Sequence, residues 1–174
     1  MKRDTRMKID KTADMIREDL QFKGADHLID FINNIGGTVN ETDELDYLID
    51  GQIKKTGDLS FEIEMRKNQS PERKNFTLAH ELGHLFLHFG YKYVPEKWNK
   101  YTCDNVLYRS QSNEMEYQAN EFAAAFLMPE DEFRSYIDEN AKNNHINMRD
   151  VARHFKVSYD AAMNRAKWLG ILAW

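Results

Sequence analysis

The sequence predicts an α+β domain in which a small antiparallel sheet sits among helices. Three observations carry this prediction. Apolar residues recur at helical spacing near the N-terminus, residues 38–67 switch to period two, and helical patterns resume from residue 70 onward. Ile9, Ala13, Ile16 and Leu20 form the first helical stripe. A second helix is expected over residues 25–35, stopped by the breaker pair Gly36-Gly37. Thr38-Val39-Asn40 opens the strand region, residues 49–54 continue it, and Lys55-Thr56-Gly57-Asp58 reads as a hairpin turn. Alternation is clearest in residues 59–67. Phe61, Ile63 and Met65 fall on one face there, and Glu62, Glu64 and Arg66 on the other. Charged outward positions of this kind predict an exposed edge strand.

Ser70 is the expected N-cap of the next helix, with Pro71 at its first position. Residues 90–112 lack periodicity but hold Tyr91, Tyr93, Trp98, Tyr101 and Tyr108. A loop of that length is usually functional or partly disordered. Further helices are expected over residues 112–128, 130–142, 147–155 and 158–169. Residues 1–140 then form the main domain. Residues 141–174 form a helical tail with a helix-turn-helix-like pattern, packed on the same domain.

With 174 residues, 41% apolar and 30% charged, the chain can bury one real core. Its net charge of −5 argues against a dedicated nucleic-acid binder. The longest apolar run, residues 122–128, is far too short to span a bilayer, so no membrane partner is expected. No apolar leader follows Met1-Lys2-Arg3, and the lone Cys103 excludes an intramolecular disulfide framework. A cytoplasmic location is expected. Cys103 has no base at a recognisable spacing and reads as an incidental thiol.

The chemistry concentrates in His80-Glu81-Leu82-Gly83-His84, an HExxH motif on the helix that follows Pro71. Four-residue spacing on a helix puts both imidazoles on one face, where they can meet a single metal ion. Glu81 is angled to reach a water on that metal, as a general base would. Leu78, Leu82, Leu85 and Phe89 supply the opposite, buried stripe. A catalytic zinc site needs a third protein ligand. The positions three and six residues beyond His84 are Leu87 and Gly90, so the metzincin pattern fails. His88 stays on the helix, but each four-residue step drifts about 40°, which places it poorly as a ligand. In the helix of residues 112–128, Glu116 and Asn120 share a face beside the apolar stripe of Ala119, Phe122, Ala123 and Phe126. Glu114 and Glu121 are expected to project outward. Glu116 is therefore the expected third ligand, and Asn120 is placed to hydrogen-bond a ligating imidazole.

Two segments, ERKNFTLAHELGHLFLH (72–88) and EYQANEFAAAFLMP (116–129), resemble the ImmA/IrrE family of zinc metallopeptidases. The pairing is far more specific than HExxH alone and is strongest over residues 70–130. The resemblance implies a zincin-like fold and a gluzincin-like site, with His80, His84 and Glu116 on Zn2+ and Glu81 as general base. It also implies a substrate, a helix-turn-helix transcriptional repressor of a phage, mobile element or stress regulon. Asn120 stands where related zinc peptidases often carry Asp, which would polarise the imidazole less. No residue matches an oxyanion stabiliser, and Tyr101, Tyr108 and His145 are the candidates. The expected substrate path is the strand bearing Phe61, Ile63 and Met65, by β-augmentation.

Two further readings remain open from sequence. One is a protein that binds a repressor without cutting it, or a toxin–antitoxin component. The other is a DNA-binding regulator with structural zinc, motivated by the locally basic stretch from residue 147 onward.

Overall fold

The computed structural model describes residues 3–46, 49–103, 113–142 and 145–173. Its sheet has three strands, β1 (Gly37–Thr42), β2 (Gly51–Gly57) and β3 (Ser60–Arg66), ordered β1–β3–β2. β2 and β3 form the expected antiparallel hairpin, with Ile53 opposite Ile63. β1, however, runs parallel to β3, with Val39 opposite Ile63. The sheet is therefore mixed, not antiparallel.

This order corrects the expected role of residues 59–67. β3 is the central strand, with its backbone paired on both sides, so it offers no edge to a substrate. Phe61, Ile63 and Met65 are fully buried in the core. The charged face of β3 is laced to both neighbouring strands. Asn40 on β1 donates to Glu62, while Gln52 and Lys54 on β2 both bind Glu64. Alternating charge marked the solvent face of a central strand, not the rim of the sheet.

The helices are α1 (Arg3–Asp19), α2 (Leu28–Asn34), α3 (Pro71–Gly83), α4 (Pro95–Trp98), α5 (Asn113–Leu127), α6 (Glu130–Asn140), α7 (Met148–His154) and α8 (Tyr159–Trp168). α3 starts as its sequence dictates, with the Ser70 hydroxyl accepting from the Arg73 amide and Pro71 in the first turn. It packs on β2 and β3, and α5 crosses its outer side against α1. A π-helical turn, His84–His88, prolongs α3, with the Phe89 amide donating to the His84 carbonyl at 3.0 Å.

The segment after Gly90 is partly structured. The Tyr91 hydroxyl is buried between the carbonyls of Ile35 (2.6 Å) and Leu59 (2.8 Å), with its single proton shared between them, pinning α2 to the β2–β3 turn. Trp98 on α4 donates from its indole to the Asp58 carbonyl at 2.6 Å. Residues 104–112, with Tyr108, lie outside the described residues. In the tail, Val151, Phe155, Ala162 and Ala166 belong to the same buried core as α3 and α5.

Candidate metal centre

α3 and α5 meet where Gly83 faces Ala119, and this close crossing sets the site. From α3 come His80 and Glu81, from the first residue of the π turn comes His84, and from α5 comes Glu116. The Nε2 atoms of His80 and His84 face each other at 3.0 Å. Glu116 reaches both, at 3.3 Å from His80 Nε2 and 3.4 Å from His84 Nε2. Among the described residues these three form the only cluster able to offer three ligand atoms to one ion, all within 4.8 Å of one another.

The imidazoles are held from behind. Asn120, one turn along α5 from Glu116, faces His80 Nδ1 through its Oδ1 at 2.9 Å. With its proton on Nδ1, His80 donates a hydrogen bond to that amide oxygen and keeps the Nε2 lone pair for the site. His84 Nδ1 meets His88 Nδ1 at 3.0 Å. His88 is buried, and among the described residues it belongs to no cluster of three potential ligands.

Electrostatics follow from burial and crowding. Burial drives His84 down to about 3, with the His80 charge adding to it, so His84 stays neutral. Burial also opposes charge on His80, but the Glu116 hydrogen bond and the Glu81 and Glu116 charges raise it above its ordinary value. That hydrogen bond from His80 lowers Glu116. Burial pushes the Glu81 carboxyl up to about 7, against the pull of His80 and with the help of Glu116.

These groups open into a cleft of about 810 Å³, walled by Ile49, Gly51, Phe76, Thr77 and Ser158. Gly51, at the start of β2, lies so close that a β-carbon there would fall 2.7 Å from Thr77 Cγ2 and 3.2 Å from Glu81 Oε1. Two imidazole nitrogens and a carboxylate gathered this closely fit a tetrahedral metal ion that keeps an open position.

Neither described oxyanion candidate reaches this cleft. Tyr101 packs edge-on against Phe89 with ring centroids 5.1 Å apart, and His145 lines a separate cavity beside Tyr136 and His154. Glu121 differs from expectation. It is buried, and its Oε2 lies 2.8 Å from Arg6 Nε, tying α5 to α1. Sequence reading missed Gly51 and Gly83 because small size carries no motif. It missed the His84–His88 contact because nothing in the sequence marks the π turn that carries both rings.

An HExxH helix crossed by a glutamate-bearing helix defines a metallopeptidase-type site. The sequence profile of the IrrE N-terminal-like domain family, peptidase M78, matches residues 54–167, and the chain belongs to that family. No curated protein is significantly similar in sequence. A solved Mycobacterium tuberculosis transcriptional regulator shares the fold with a TM-score of 0.63 at 16% identity. The match covers 92% of this chain and 46% of that one, so the chain spans about half the length of this neighbour.

Proposed function

We propose that this protein is a zinc-dependent endopeptidase that cleaves a helix-turn-helix transcriptional repressor. The convergence of His80, His84 and Glu116, with the Glu81 carboxylate buried beside them, is the observation that carries the reading. Two imidazoles and one carboxylate make up a ligand set that catalytic zinc uses, and zinc held by them would polarise the scissile carbonyl and acidify the attacking water. Glu81 accepts the proton of that water and passes it to the leaving amine. Asn120 keeps His80 in the tautomer that presents Nε2.

The substrate path moves from β3 to β2. β2 is an edge strand of the described sheet, and its first residue, Gly51, abuts Glu81. An extended repressor segment laid along this edge would bring its backbone past the general base.

The repressor as substrate comes from the family resemblance, and the naming of the structural neighbour as a transcriptional regulator agrees with a regulatory setting. A cytoplasmic location fits this role. No helix among the described residues is long and apolar enough to cross a membrane. Residues 141–174 act as part of the same unit as residues 1–140, since they share its core.

Direct DNA reading by the tail loses one cation to the fold, since Arg165 is buried and bonds the Met128 carbonyl and Asp10. Arg153 and Lys156 make only exposed pairs with Asp150 and Asp26. Ser158, which caps α8, forms a wall of the metal cleft. Pure binding without cleavage would not call for Glu81. The test is incubation of zinc-loaded protein with the repressor of its own element. Cleavage lost in Glu81→Gln supports the reading, and equal cleavage by that variant contradicts it.

A further inference from the structure

His88 lies at the far end of the π turn that His84 begins. Residues four apart on a helix are neighbours, and here the two Nδ1 atoms meet at 3.0 Å. On its far side His88 Nε2 lies 3.1 Å from Gln118 Oε1. Gln118 stands on α5 between Glu116 and Asn120. One helix thus supplies a ligand, the acceptor behind His80, and the end of a chain of hydrogen bonds behind His84.

That chain can run in only one direction if His84 is to bind a metal through Nε2. A neutral imidazole carries one proton, so a free Nε2 lone pair requires the proton on Nδ1. His84 Nδ1 then donates to His88 Nδ1. His88 in turn keeps its proton on Nε2 and donates it to the Gln118 carbonyl oxygen. Reversing the chain would place a proton on His84 Nε2, the atom that faces the site. Gln118 is suited to set the direction, because its oxygen only accepts.

We propose that His88 and Gln118 are positioning residues that fix the tautomer and ring orientation of His84 through this relay. The inference rests on the reading of His80, His84 and Glu116 as the zinc site. His88 touches neither metal nor substrate in this role. It acts through His84, as Asn120 acts through His80, so each ligating imidazole has its own acceptor.

Two measurements test it. Long-range nitrogen–proton correlation spectra of metal-free protein labelled with [15N]histidine report each ring's tautomer directly. The expected result is a proton on Nδ1 of His84 and on Nε2 of His88, and a proton on His84 Nε2 overturns the relay. The second is zinc affinity by chelator competition. His88→Phe should weaken zinc by roughly tenfold to a hundredfold. His88→Asn, whose amide oxygen can still accept from His84, should recover most of that loss. Gln118→Leu, at a half-buried position, should shift the His84 tautomer balance without unfolding the protein. Unchanged affinity in His88→Phe, or an unchanged His84 spectrum in Gln118→Leu, contradicts the proposal. The spectra need no metal, so a wild-type protein that took up no zinc would refute the zinc site alone and leave the relay to its own readout.

Discussion

Gly83 on the motif helix faces Ala119 on the glutamate helix at the closest approach the backbone allows. A β-carbon at 83 would fall 3.0 Å from the Ala119 α-carbon, 3.0 Å from its carbonyl oxygen and 3.2 Å from Phe122 Cβ. Backbone atoms cannot swing aside as a long side chain would, so the two helices must separate to admit it. Since Glu116 reaches the histidines only because α5 lies this near, packing and ligand geometry are coupled at one position. Gly83→Ala should destabilise the fold by about 1–3 kcal/mol. It should also weaken zinc binding more than a surface substitution of equal destabilising effect. Parallel denaturation and chelator titrations would separate the two.

Glu81 is placed to move protons without holding the metal. Glu81→Gln keeps shape and burial but cannot accept a proton. Zinc should be retained, and cleavage should fall by roughly a hundredfold to ten-thousandfold. Rates for matched, metal-quantified samples check this.

The same carboxyl makes a stability prediction for metal-free protein. Its folded pKa, about 7, lies above the ordinary carboxyl value of 4.5, so the folded state holds the proton more tightly. Its contribution is therefore present at low pH and is lost as pH rises from about 4.5 through 7. Metal-free Glu81→Gln should be more stable than wild type at pH 8, by on the order of 2 kcal/mol. The difference should shrink towards pH 4. Denaturant midpoints at the two pH values decide the matter.

Acid should release the metal, and His80 sets where. Its raised pKa means that protonation competes with zinc at and above the ordinary imidazole range, near pH ~6.5. His84, held down to about 3, contributes little to that release. Zinc affinity measured between pH 5.5 and 8 should fall steadily towards the acid end.

Gly51 lines the cleft without a side chain, and its neighbours leave no room for one. Gly51→Val should push on Thr77 and Glu81 and crowd the proposed substrate edge. Cleavage should drop by about tenfold to a hundredfold, as a small misplacement of a catalytic group does, with metal content unchanged. Steady-state rates beside zinc stoichiometry test it.

Much of the site was legible in sequence because its determinants are local. HExxH places two rings on one helical face, and the Glu116–Asn120 face beside an apolar stripe points at the same cleft. The sheet order was less legible. The β2–β3 hairpin announces itself through alternation and a turn, whereas β1 joins β3 through a distant pairing that leaves no mark on either strand. Charges on β3 were taken to mean an edge, although they bind partners on both flanks. Glu121 points inward because Arg6, far away in sequence, waits for it there. The π turn, too, left no readable sign, since His84–His88 has an ordinary helical composition.

The central claim is that His80, His84 and Glu116 hold one zinc ion. Elemental analysis of purified wild-type protein, Glu81→Gln and Glu116→Ala tests it most directly. The account predicts one zinc per chain in wild type and Glu81→Gln, and its loss in Glu116→Ala. Wild-type protein that binds no divalent metal after reconstitution, or Glu116→Ala that holds zinc as tightly as wild type, would contradict it.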